Sequence, residues 1–139
     1  MALNRIFKEN ERNNRARVVP SGTVSGDSLL LGTRPAVALT DRGDASHTFT
    51  DAGTGISITL PWQGGSGLGA TEASVAFDGT WEFTVATSTT ATAQDALVYI
   101  VVADNTLTLV ATANTLYGAV DYPTGYHKAD GILPVRIGG

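Results

Sequence analysis

The apolar residues of this chain come in short runs, cut by glycine, proline and aspartate about every eight to twelve positions, and helical spacing is almost absent beyond residue 17. That rhythm confines the body to an all-β fold, a small β-barrel or sandwich of about 8–10 short strands. The composition agrees, because 19 Thr and 16 Gly accompany many Ala and Val, a mixture suited to pleated strands and tight turns. A length of 139 residues allows one core and is short for two.

Strands can be placed along most of the body. Residues 17–19 begin one that Pro20 and the Ser21-Gly22 pair end, and the Ser25-Gly26-Asp27 turn leads into residues 28–31, which Gly32 closes. Residues 35–40 (PAVALT) form the next strand and leave through the polar loop 41–44. Residues 56–60 (ISITL) alternate and stop at Pro61, whereas the rest of 41–74 shows no clear strand and contains a glycine-rich stretch, 64–69, expected to be a mobile surface loop. Residues 73–77 and 80–86 alternate strongly, which puts Trp81, Phe83 and Val85 on one inward face and Glu82 on the solvated one. The Asp78-Gly79 pair between them is either a hairpin turn or a bulge in one bent strand. Residues 96–102 (ALVYIVV) suit a strand buried on both faces, turned by Asp104-Asn105 into a hairpin with 106–110. Residues 115–122 and 132–137 supply the last strands, and Pro134 predicts that the final one is an edge or bulged strand.

The first seventeen residues differ from the rest. Their cations Arg5, Lys8, Arg12, Arg15 and Arg17 face only Glu9 and Glu11, net +3, whereas residues 18–139 carry four cations against eleven acids, net −7. A polar, basic stretch of this kind buries too little apolar surface to fold alone and is expected to become ordered only against a partner. The chain therefore divides into an extended basic arm, 1–17, and a single β domain, 18–139, with a glycine-rich insertion around 41–74.

Several function classes are disfavoured. With no cysteine there is neither a disulfide framework nor a thiolate metal site. The longest apolar runs fall far below the ~20 residues of a membrane-spanning helix, and the polar N-terminus lacks the apolar core of a signal peptide, so the chain reads as soluble with no membrane partner. An acidic body with a pI near 4.9 repels nucleic acid. Charged residues make up only 16% of the chain, so much of its surface is neutral Thr, Ser, Ala and Gly, as suits contact with other proteins.

A succession of landmarks carries a resemblance: Val24-Ser25-Gly26-Asp27, Leu31-Gly32, residues 35–40, Gly79-Thr80-Trp81-Glu82-Phe83, Gln94-Asp95-Ala96-Leu97-Val98-Tyr99, Leu116-Tyr117-Gly118-Ala119-Val120 and Val135-Arg136-Ile137. In order and spacing these resemble the capsid cement, or head decoration, proteins of tailed phages. The resemblance spans about residues 17–137 and is interrupted by 41–74. It implies a compact β-barrel-like body, often a homotrimer, seated on the capsid exterior between subunits of the major capsid protein. It carries over no catalytic residue.

The residues themselves offer little for catalysis. His47 and His127 are the only histidines, 80 positions apart, and each is read as an exposed loop residue, with neither ligand-pair spacing nor a nucleophile elbow nearby. Residues 64–69 lack the Lys-Ser/Thr ending of a phosphate loop. Asp78 and Glu82 resemble a glycosidase pair only in type, since Glu82 is expected to face solvent. The expectation is thus a structural, non-enzymatic virion protein on the capsid exterior, made in the host cytoplasm and needing no cofactor. Its partners are the major capsid protein and copies of itself, and its contact residues are Ile6, Phe7, Lys8, Arg12, Arg15, Arg17 and Trp62. The alternative is a carbohydrate- or host-surface-binding β module in which Trp62 stacks on a sugar ring.

Overall fold

The computed structural model describes residues 14–61 and 68–138, with the backbone alone for 14, 15, 47 and 61. Its strands are β1 (Asn14–Val18), β2 (Ser28–Leu31), β3 (Arg34–Ala38), β4 (Ser46–Thr50), β5 (Ser57–Pro61), β6 (Glu72–Ala76), β7 (Gly79–Ala86), β8 (Leu97–Ile100), β9 (Leu107–Thr108), β10 (Thr115–Val120) and β11 (Ile132–Ile137). They form a four-stranded sheet ordered β1-β6-β3-β2, a closed barrel ordered β10-β11-β7-β9-β8, and a separate hairpin of β4 with β5. The body is all-β, as the strand rhythm predicts.

Alternation builds the barrel interior. Phe83 and Val85 of β7, Val98 and Ile100 of β8, Val120 of β10, and Val135 and Ile137 of β11 are buried together, while Glu82, Thr84 and Ala86 face out. Val37 of β3 and Ala76 of β6 join this cluster, so one face of the sheet shares the barrel's core. Phe83 meets Tyr117 edge-to-face at 5.7 Å between ring centroids, and the Tyr117 hydroxyl donates to the Ala36 carbonyl of β3 at 2.5 Å. Burial raises the pKa of Tyr117, so this hydroxyl stays a donor and ties barrel to sheet. The sheet's other face gathers Leu29, Ala36, Ala38, Ala73, Val75 and Phe77 with Val19. The Arg34 and Arg17 guanidinium carbons lie 4.1 Å and 5.3 Å from the Phe77 ring centroid.

Five local expectations are corrected. The first strand begins at Asn14, so residues 14–17, grouped with the arm on charge, pair with β6; Arg15 stands opposite Val75 and Arg17 opposite Ala73. Asp78-Gly79 is neither hairpin nor bulge. It is the corner where the chain leaves the sheet at β6 and enters the barrel at β7, with Gly79 at a φ of 101° and the Trp81 indole donating to the Asp78 carbonyl at 2.8 Å. β8 is buried on one face only, since Leu97 and Tyr99 point outward from the barrel. Pro134 lies in β11 between β10 and β7, neither at an edge nor in a bulge. Its carbonyl accepts from the Asp121 amide just past β10, and N and C=O of one strand residue point the same way, so the missing N–H falls beyond the β10 ladder and costs no bond to β7. Finally, residues 46–50 form β4, which places His47 in a strand rather than a loop.

The hairpin springs from the connection between β3 and β6, which are themselves paired through Val37–Ala76 and Ala38–Val75. Its two legs close at the base, where the Gly43 amide donates to the Glu72 carbonyl at 2.9 Å. A Cβ on Gly43 would come within 2.2 Å of the Gly69 carbonyl oxygen, so only glycine lets the legs meet there.

Candidate partner-binding surface

The hairpin has two chemically distinct faces. In its register Phe49 stands opposite Ile58 and His47 opposite Leu60, while Thr48 stands opposite Thr59 and Thr50 opposite Ser57. A two-residue side-chain period therefore sorts Phe49, Ile58 and Leu60 onto one side and hydroxyls onto the other. The hydroxyl side is internally bonded, Thr48 to Thr59 and Thr50 to Ser57, each at 2.8 Å. Among the described residues none covers the apolar side: Phe49 is 61% exposed, Ile58 57% and Leu60 50%. Ile56, at the turn, is equally open.

The turn is well made. The Asp51 amide donates to the Ile56 carbonyl and the Gly55 amide to the Asp51 carbonyl, both at 2.8 Å. The Asp51 carboxylate accepts from the Thr54 hydroxyl and amide, at 2.5 Å and 3.0 Å. Those bonds, the hydroxyl first, hold its pKa below the ordinary carboxylate value.

A second open apolar strip lies on the barrel exterior. Leu97 and Tyr99 project outward from β8, and Leu116 of β10 stands opposite Tyr99, with Ala119 opposite Leu97. Leu97 is 51% exposed and Leu116 52%. A register shift between Leu116 and Gly118 resets the alternation, so that Leu116 and Ala119 stand on the outer side while Tyr117 and Val120 are both buried. Arg136 of β11, opposite Ala119, flanks this strip and lies 3.9 Å from Asp121.

A cleft of about 890 Å³ separates the 20–29 segment from β7 and the β8–β9 turn. It is lined by three acids, Asp27, Glu82 and Asp104, and no base. Each carboxylate has a structural duty: Asp27 accepts the Val24 amide, Asp104 the Thr106 hydroxyl and amide, and Glu82 the Tyr126 hydroxyl at 2.7 Å. Desolvation, then the bond to Glu82, pushes the Tyr126 pKa up to about 12. Two of the cleft's hydroxyls donate to carbonyls, Ser28 to Asn105 and Thr23 to Pro20, each at 2.7 Å. Among the described residues no group of three or more metal-ligating side chains comes together. His127 is exposed, and its sequence neighbour Asp130 accepts the Thr90 amide at 2.9 Å.

The expected contact residues are only partly in view. Ile6, Phe7, Lys8, Arg12 and Trp62 lie outside the described residues, as do residues 64–67 of the glycine-rich stretch. Arg15 has a backbone position in β1, and Arg17 packs over Phe77, so its guanidinium is engaged within the body. Phe49, Leu97 and Leu116 were not expected as surface residues. The alternation of residues 46–50 against 56–60 was the one available signal for the hairpin, and it becomes visible only when the two segments are laid side by side. No protein-family model, curated protein or solved structure matches the chain.

Proposed function

We propose that this chain is a structural virion protein that binds the outer surface of a phage capsid, beside further copies of itself as a homotrimer, and stabilises the lattice of the major capsid protein. The observation that carries the reading is the pair of open apolar strand faces, on the hairpin and on the barrel exterior, in a body of low charge. Exposed apolar surface grouped on regular elements is the mark of a protein-contact surface, whereas singly scattered apolar residues are ordinary. The order of landmarks that resembles the phage decoration proteins points the same way.

The mechanism is mass action. A ligand that binds the assembled lattice and not its free subunits stabilises the assembly in proportion to its occupancy, and many copies acting together resist internal pressure. The basic arm adds a fastening in which Ile6 and Phe7 are apolar anchors and Lys8 and Arg12 meet acidic groups. No catalytic step and no cofactor belong to this function.

Co-sedimentation of the full chain with undecorated capsids tests it, with glycan arrays as the control. Saturable capsid binding without glycan affinity is expected, and the reverse result would install the carbohydrate module in its place. Ile6→Ala with Phe7→Ala should weaken occupancy severely. A truncation meant to remove the arm should stop at residue 13, since β1 begins at Asn14.

A further inference from the structure

Four exposed apolar side chains of the hairpin, Phe49, Ile56, Ile58 and Leu60, present roughly 100 Å² each. That is roughly 400 Å² on one element, about half of the ~800 Å² per partner of a stable interface. The barrel strip, half-exposed Leu97 and Leu116 with the partly buried Tyr99 between them, adds roughly half that area on a different element. A face-to-face pairing of two hairpins would bury the first strip and leave the second in water. A contact of hairpin on barrel strip buries both strips of every copy once the assembly closes, and so adds roughly half again to the apolar area each copy removes from water.

Charge does not oppose that pairing. Residues 46–60 contain one acid, Asp51, at the hairpin turn, and the barrel strip is flanked by Arg136 and Asp121, 3.9 Å apart. The remainder of both surfaces is aliphatic, aromatic or hydroxyl-bearing. Hairpin against barrel therefore buries no unpaired charge, and the apolar area of both strips is what favours it.

We propose that the occupant of the hairpin's apolar face is a second copy of this chain, which receives Phe49, Ile58 and Leu60 on the outer β8–β10 face of its barrel, beside Leu97, Tyr99 and Leu116. The contact is heterologous, so each copy gives its hairpin to one neighbour and receives the hairpin of another. The inference deepens the assembly reading, on which it rests, by naming the two surfaces through which copies touch.

Sedimentation velocity of the full chain at micromolar concentration tests it without any capsid. The intact chain is expected to self-associate. Phe49→Ser with Ile58→Ser removes the donor strip and Leu97→Ser with Leu116→Ser the acceptor strip, and each double variant should lose on the order of 100-fold in self-affinity and run as a monomer. Circular dichroism and a single cooperative unfolding transition certify that both are folded. The two monomeric variants mixed one to one should form a heterodimer and nothing larger, because one intact hairpin then meets one intact barrel strip. An acceptor-strip variant that still dimerises, with no gain on mixing, would replace the proposal by hairpin-on-hairpin pairing. A monomeric intact chain would overturn the self-contact, and if that monomer still decorates capsids the assembly reading survives alone. Self-association without capsid binding separates the two in the other sense.

Discussion

The barrel and the hairpin are built from the same materials and end in opposite environments. In β7, alternation delivers Phe83 and Val85 to a closed interior where they are almost wholly buried, and in β4 and β5 the same alternation delivers Phe49, Ile58 and Leu60 to water. The difference lies in what stands opposite. β7 has β11 and β9 at its edges and the rest of the barrel before its apolar face, whereas the hairpin has only its own two strands. A lone two-stranded hairpin has marginal stability in water, so this one stands on its clamped base, its cross-strand hydroxyl bonds and its Asp51 turn rather than on burial. Burial is therefore a property of the neighbourhood, and an apolar face that the protomer leaves open is free for another molecule.

The sharpest way to break that comparison is to truncate one aromatic in each region. Phe83→Ala should cost about 3–5 kcal/mol in denaturant unfolding, because it empties the core beside Tyr117, whereas Phe49→Ser should shift the monomer's stability by no more than about 0.5 kcal/mol. Comparable losses would mean that the hairpin face is packed after all. Next in size is Tyr117→Phe, which deletes the hydroxyl that ties barrel to sheet and should cost about 1–3 kcal/mol by leaving the Ala36 carbonyl short of a partner. Chemical denaturation of that variant should remain one cooperative transition, and its splitting into two would show sheet and barrel to be separate folding units. Replacing residues 45–68 by a short flexible linker should change the stability of the rest by about 1 kcal/mol or less, since β3 and β6 are already paired and lengthening or shortening their connection costs little. A collapse of the fold would show instead that the hairpin supports the sheet.

The smallest expected effect is one of pH. The Asp51 pKa is lowered in the folded hairpin, so its contribution is fully present above the ordinary carboxylate value of about 4 and is lost as pH falls through the lowered one. Amide exchange at Thr54 and Gly55 should quicken in that acid window while the barrel amides stay protected. Asp51→Asn should remove the pH dependence, and its persistence would assign the transition to another carboxylate.

Much of the architecture was legible without coordinates. Turn residues and two-residue alternation place β2, β5, β6, β7, β10 and β11 to within a residue or two, and they sort Phe83 from Glu82 correctly. The candidate site was far less legible. Residues 46–50 hold a single large apolar residue, Phe49, and a strand with one anchor has no visible period until its partner is beside it. The run at 96–102 is apolar on both parities, and periodicity cannot tell which parity a barrel will leave outside.

By itself the sequence determined the local choices, strand or turn at each position and which side chains share a face, because those follow from backbone sterics and a fixed side-chain period. Tertiary structure alone decided the rest. It set Asp78-Gly79 as the passage from sheet to barrel, settled Pro134 harmlessly inside the barrel, drew residues 14–17 into a ladder, and left two apolar strips uncovered. Those outcomes depend on which distant strand arrives alongside, and a hydrogen-bonding edge or an apolar face carries no local mark of the neighbour that will meet it.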